Sequence, residues 1–211
     1  MSRWVYLRTV ACLSFGVVAL SQAGCDVDSD QPLVEPDKAT LDDRVLGQWR
    51  FTEQELSTHY FVGRPRRGQI KNAPEALLLV YAIGYGPNHE IRNGEPPLLV
   101  LTTKIGEEHF AMAVDYAGEK LPEEWRAGDV KGYLPFKYAI KDEKLTIWFM
   151  DGDASKKLVA AGELKGMVKK GFVTTVRLSE PTDRLRKFVQ TDAGKSLFTE
   201  KTKVVLKRVK W

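Results

Sequence analysis

The chain predicts an antiparallel β-barrel, closed or nearly closed, of about eight to ten strands with two or three short helices. Three observations carry this. From Val45 onward the apolar residues fall in short runs separated by turn residues about every 8 to 15 positions, and helical periodicity is scarce. In the run His109 to Tyr116, Phe110, Met112 and Val114 alternate with His109, Ala111, Ala113 and Asp115, the period of two that a half-buried strand requires. The final run, Lys203 to Lys210, can return to the first, and such closure leaves a sheet of this size without exposed edges. With 211 residues, 43% hydrophobic and 28% charged, the chain has material for one core, assigned to residues 41–211.

In chain order, Val45 to Phe51 opens the domain and Thr58 to Val62 is a second strand, followed by a basic loop with Arg64, Arg66, Arg67 and Lys71. Ala76 to Ile83 is apolar on both faces, so it is expected to be covered on both sides or to line an apolar cavity. Leu98 to Lys104 and His109 to Tyr116 form a hairpin turning at Ile105-Gly106-Glu107-Glu108. Leu121 to Gly128 fits one or two helical turns, with Pro122 near the start, acids in the first turn and Gly128 as the stop. Phe136 to Ile140 and Leu145 to Met150 are strands joined by the polar turn Lys141 to Lys144. Asp153 is the expected cap of a helix over Ala154 to Ala161. Glu163 to Val168 and Phe172 to Leu178 make another hairpin, and Leu185, Phe188 and Val189 mark an amphipathic helix.

The first 24 residues read as an export signal. Arg3 and Arg8 supply a basic start, Thr9 to Leu20 is mostly apolar, and Ser21, Gln22, Ala23 and Gly24 precede Cys25. A permanent span needs roughly 20 apolar residues, and Arg8 stops this run short of that. Ala23, Gly24 and Cys25 resemble the lipobox of bacterial lipoproteins, although Gln22 stands where that family has an aliphatic residue. The resemblance implies that Cys25 is lipidated and becomes the new N-terminus, with its acyl chains as a stable anchor. Cleavage by the ordinary signal peptidase, using Ala19 and Ser21 or Ser21 and Ala23, is the competing reading. Residues 25–40, rich in aspartate and bearing Pro32 and Pro36, are expected to be a flexible acidic tether.

Gly47-x-Trp49 in the first strand together with Arg208 in the last resembles the lipocalin and lipocalin-like families. The resemblance implies that Trp49 closes one end of the barrel and that Arg208 lies across its ring, a contact worth about 0.5 to 2 kcal/mol. The Thr-Asp-Tyr motif of true lipocalins is missing, and Val114-Asp115-Tyr116 is a near echo placed too early.

Catalytic chemistry has little purchase here. Cys12 and Cys25 are the two cysteines, so the folded part holds no disulfide and no thiolate nucleophile. His59, His89 and His109 are too scattered to suggest a metal site, and His109 beside Glu107 and Glu108 is the cluster worth testing. Glu123/Glu124 and Asp151/Asp153 sit where caps and turns want acids, and no P-loop, Gly-x-Ser-x-Gly or dinucleotide fingerprint occurs. No catalytic residue, cofactor or metal is therefore assigned. The net charge of +4 comes from interspersed acids and bases and does not imply nucleic acid. The Arg64 to Lys71 loop and the set Lys201, Lys203, Lys207 and Lys210 leave lipid headgroups or anionic glycans as partners, against plain solvation. The expectation is an envelope lipoprotein, held to the membrane by Cys25, whose barrel binds a small apolar ligand or a protein partner. A structural accessory subunit of an envelope complex and an enzyme using the barrel mouth are the alternatives.

Overall fold

The structure, a computed structural model, describes residues 25–53, 56–85, 91–92, 97–117, 120–171 and 174–210. The export signal, His89 and the start of the expected hairpin arm at Phe172 lie outside the described residues.

Eight antiparallel strands close into a barrel. They are β2 (Gly47–Glu53), β3 (Leu56–Gly63), β4 (Leu77–Tyr85), β6 (Leu98–Ile105), β7 (Glu108–Tyr116), β8 (Val130–Lys141), β9 (Lys144–Phe149) and β12 (Lys203–Arg208). The two-residue β5 (Ile91–Arg92) pairs with β4 outside this ring. The chain's last strand sits between β2 and β9, with Arg208 opposite Trp49 and Leu206 opposite Leu145. The ring shuts where Ile140 of β8 faces Leu145 of β9.

Because side chains alternate along a strand, one registered set faces inward all the way round. Trp49 stands opposite Tyr60, Tyr60 opposite Ala82, Val100 opposite Ala113, Ala113 opposite Leu134, and Tyr138 opposite Ile147. These positions form one apolar cluster inside the barrel, with Leu78, Ala111, Leu145 and Leu206. The other face of β4, β6 and β7, with Leu77, Leu79, Leu99, Leu101, Phe110 and Met112, belongs to a second cluster outside the barrel wall. Two-sided burial explains why Ala76 to Ile83 reads apolar on both faces.

An added layer covers that outer wall. β8 is twelve residues long and serves two sheets: Phe136 to Lys141 pairs with β9, while Tyr133 pairs with Ser29 of β1 (Cys25–Ser29). β1 lies parallel to β11 (Thr174–Leu178), and β11 pairs with β10 (Gly166–Lys169). The expected late hairpin thus exists, but it belongs to this side sheet and not to the barrel. α1 (Gly152–Ala160) packs on the side sheet; its cap is Asp151, whose carboxylate accepts from the Ala154 amide at 2.9 Å, and not Asp153.

α2 (Thr182–Phe188) seats Leu185 in the outer core, and Val189 follows it there. α3 (Asp192–Lys195) folds back so closely that a Cβ on Gly194 would stand 1.9 Å from the Phe188 carbonyl oxygen, which only glycine permits.

Two expectations are corrected. Residues 25–40 are not a flexible tether: β1 is fully paired with β11, and Val27, Leu33 and Val34 are buried in the outer core. The Leu33 amide reaches Met112 Sδ at 3.0 Å, and Arg177 neutralises the acids, 2.5 Å from Asp30 and 3.7 Å from Asp28. Three buried aliphatic side chains at about 1.5 to 3 kcal/mol each, added to the β1–β11 ladder and the Arg177 ion pairs, offset ordering entropy with contributions that the acidic composition does not reveal. Residues 121–128 are not helical, because the Lys71 amide donates to Glu123 O at 2.8 Å and Trp125 N donates to Lys71 O at 2.7 Å. These bonds draw the segment out, leaving one 3-10 turn at Ala127–Asp129.

Candidate functional site

The barrel has a closed end and an opposite, looser end. At the closed end the Arg208 guanidinium carbon stands 4.1 Å from the centre of the Trp49 ring. Trp49 is wholly buried, and its indole N–H donates to Val45 O at 2.8 Å. Arg208 donates from Nη1 to Leu46 O at 2.8 Å and from Nη2 to Arg44 O at 2.5 Å, and its Nε lies 3.0 Å from Glu143. One guanidinium therefore holds the ring, the segment entering β2 and the β8–β9 turn.

Gly47 completes the closure. Its φ is +115°, and a Cβ there would meet Arg208 Nη1 at 3.1 Å. A side chain would be strained by the backbone and would push the guanidinium off the indole. The structure thus brings Gly47, Trp49 and Arg208 together at one site.

A polar layer lies beside this closure. Tyr138 donates to Asp42 Oδ2 at 2.9 Å, Arg44 donates to Asp42 through Nε and Nη2 at 2.8 Å each, and Arg44 Nη2 stands 2.7 Å from His109 Nε2. Thr102 ties the same segment down, donating to Thr40 O at 2.7 Å and accepting from Asp42 N at 3.2 Å. Burial pushes the Asp42 carboxyl up, but the hydrogen bonds from Arg44 and Tyr138 together prevail and hold it below the usual range. Burial, then the field of Arg44, lowers His109, even though Asp42 Oδ2 is 3.5 Å from its Nδ1. Burial raises Tyr138, and Asp42 adds to it. His109 therefore works with Asp42, Arg44 and Tyr138 as part of the seal, a grouping hidden from the sequence because Asp42 lies far from it in the chain. Glu107 instead pairs with Lys104, and Glu108 with Lys137.

Above this layer the lumen loosens. Trp49, Tyr60, Leu78, Val100 and Leu145 are buried, whereas Phe51, Val80, Ala82, Leu98, Leu134, Phe136 and Ile147, and toward the closed end Leu41, Leu46, Val62 and Ile140, are partly exposed while packing on them. Phe136 and Phe149 meet at 5.8 Å between ring centres. The inward positions Ala82, Ala111 and Ala113 carry small side chains and leave room in the middle of the barrel. Glu53, facing inward at the far end of β2, has a buried Oε2 without a hydrogen-bond partner among the described residues.

His59 lies on the outer wall against Gln48 at 2.5 Å and Tyr85. Among the described residues no group of three His, Cys, Asp or Glu side chains could hold a metal ion, and no helix is long and apolar enough to cross a membrane. No family profile, characterised protein or solved structure matches the chain.

Two outcomes follow from this geometry. Gly47→Ala is expected to lower unfolding free energy by about 2 kcal/mol in chemical denaturation, and by clearly less in an Arg208→Ala background; a loss under about 0.5 kcal/mol would show that glycine is not required. His109, lowered in the fold from its ordinary 6.5, stays neutral there after the unfolded chain has taken up its proton. Stability is therefore full above pH 6.5 and is lost as pH falls toward the folded value. His109→Gln should flatten that part of the stability–pH curve, leaving the smaller slope from His59, which burial also lowers. An unchanged slope would remove His109 from the seal.

Proposed function

We propose that this protein is an exported, lipid-anchored binding module whose lipocalin-like barrel takes a small apolar ligand through the end opposite Trp49. The supporting observation is the set of apolar side chains toward the end opposite Trp49 that face inward and yet touch solvent, Phe51, Leu98, Leu134 and Phe136 among them. Inward apolar surface left in contact with water gains free energy, about 25 cal/mol per Å², when a ligand covers it. The closed end keeps solvent from entering behind the ligand.

The chemistry of binding is desolvation with a few polar contacts. Phe51, Leu98, Leu134 and Phe136 offer the apolar surface, and Glu53 offers an acceptor at the rim. A ligand with an apolar body and one hydrogen-bond donor fits this set. The anchor rests on the lipobox-like Ala23-Gly24-Cys25 and on the signal that precedes it.

The binding reading is tested by titrating the full chain with the apolar fluorophore N-phenyl-1-naphthylamine. Saturable binding is expected, with a dissociation constant raised about tenfold or more by Ala82→Trp, which fills the upper lumen. Equal binding by the variant would place the probe elsewhere and overturn the reading. The anchor is tested by labelling cells with a clickable fatty acid. Label on the wild type that is lost in Cys25→Ser supports lipidation, and an unlabelled wild type refutes it.

A further inference from the structure

The outer wall opposite the added layer carries a pattern that no single stretch of sequence contains. Lys144 of β9 stands opposite Lys207 of β12, Lys207 opposite Arg50 of β2, and Arg50 opposite His59 of β3. Lys141 of β8 extends the row behind Lys144. Three permanent cations and a histidine thus cross four neighbouring strands in one line, and a fourth cation stands at its end. Lys141, Lys144, Lys207 and Arg50 are exposed.

Like charges in directly opposed cross-strand positions repel, because their Cβ atoms are about 5 Å apart. The outward positions of β9, β12, β2 and β3 hold Thr146, Trp148, Lys203, Val205, Gln48, Thr52, Ser57 and Phe61, with no carboxylate among them. The nearest acids are engaged elsewhere or at the margin. Glu143 pairs with Arg208, Glu200 with Lys203, and Asp142 occupies the turn beyond Lys141 and Lys144. Lys144, Lys207 and Arg50 have no ion pair among the described residues. Lysines often guard the edges of sheets, but these strands lie within a closed ring and have no edge to guard.

Some basic positions elsewhere are ion-paired. Arg64 is neutralised by Asp43 at 2.7 Å, Arg126 by Glu124 and Lys137 by Glu108. What sets the row apart is the direct cross-strand opposition of its cations, not the lack of a carboxylate, which it shares with many other lysines of the surface. Beside it, Tyr81 is 41% and Val205 37% exposed. A cleft of about 280 Å³ lined by Gly47, Gln48, Phe61, Val62, Gly63 and Tyr81 opens one row below. Gln48 is buried there, and its Oε1 accepts no hydrogen bond among the described residues.

We propose that this wall docks on a bilayer through anionic phospholipid headgroups, with phosphates along Lys144, Lys207 and Arg50. Charge complementarity selects the anion. The convex wall of a barrel meets a plane along one line of side chains, whereas a polyanion chain is better held in a groove. Tyr81 and Val205, exposed beside the cations, suit the boundary between headgroups and acyl chains, where amphipathic rings concentrate. The proposal rests on the wall alone and is independent of Cys25 lipidation and of the lumen ligand.

The test is sedimentation of the full chain carrying Cys25→Ser, so that no acyl chain contributes, with phosphatidylcholine vesicles containing or lacking phosphatidylglycerol. Binding should require phosphatidylglycerol and weaken with salt. Arg50→Gln/Lys144→Gln/Lys207→Gln should weaken it on the order of a hundredfold, at about fivefold per cation, without lowering the thermal midpoint, because repulsion is relieved. Lys207→Gln alone, in the middle of the row, should give the fivefold loss even if the triple variant folds poorly. Arg64→Gln/Arg66→Gln/Arg67→Gln should leave the phosphatidylglycerol dependence intact. Unchanged binding by the wall variants, loss of binding by the loop variant, or binding to soluble dextran sulfate but not to vesicles would each overturn the proposal.

Discussion

Closure of the ring depends on a guanidinium lying on an indole. Arg208 comes from the last strand and Trp49 from the first strand of the barrel, and their register fixes how β12 enters between β2 and β9. Without that strand the sheet would be open, with the backbone edges of β2 and β9 unpaired. The same cation takes up the carbonyls of Arg44 and Leu46, so the segment that crosses the closed end is held by the group that closes the seam. Cation–π attraction of about 0.5 to 2 kcal/mol is modest by itself. Its leverage comes from the number of elements that converge on one side chain.

Around this seam the molecule has two apolar clusters divided by the wall of the barrel. The inner one fills the barrel around Trp49, and the outer one is covered by β1, the helices and the late hairpin. Covering one wall and leaving the other bare gives the barrel two unlike sides. The covered side supplies most of the buried surface. The bare side is free to carry charge that a packed side could not tolerate.

Much of the barrel was legible because its signals are local. Alternation in His109 to Tyr116, the polar turn at Lys141 to Lys144 and the Gly47-x-Trp49 pair each report a strand or a turn from a few neighbouring residues. What escaped was non-local. Asp26, Asp28 and Asp30 read as a solvated leash, yet Arg177 lies beside two of them and Thr174 to Leu178 supplies a parallel partner. Leu121 to Gly128 has the caps of a helix, but Lys71 claims its backbone groups first. The basic row could not be seen either, since Lys144, Lys207 and Arg50 share a line only after three strands come into register. The seal around Asp42 was hidden for the same reason, its members lying on β7, β8 and the strap before β2.

The sequence separation of the residues that hold the seam and the side sheet has a temporal consequence. Arg208 bonds Leu46 across 162 residues, and Arg177 bonds Asp30 across 147. Both the seam and the side sheet therefore wait for residues made long after their partners. During vectorial synthesis, the early strands emerge with one edge and one apolar face unsatisfied, and they stay so until β11 and β12 arrive. The interval before that arrival is when the chain is most in need of a chaperone, and a protein truncated before Lys203 would remain in that exposed condition permanently.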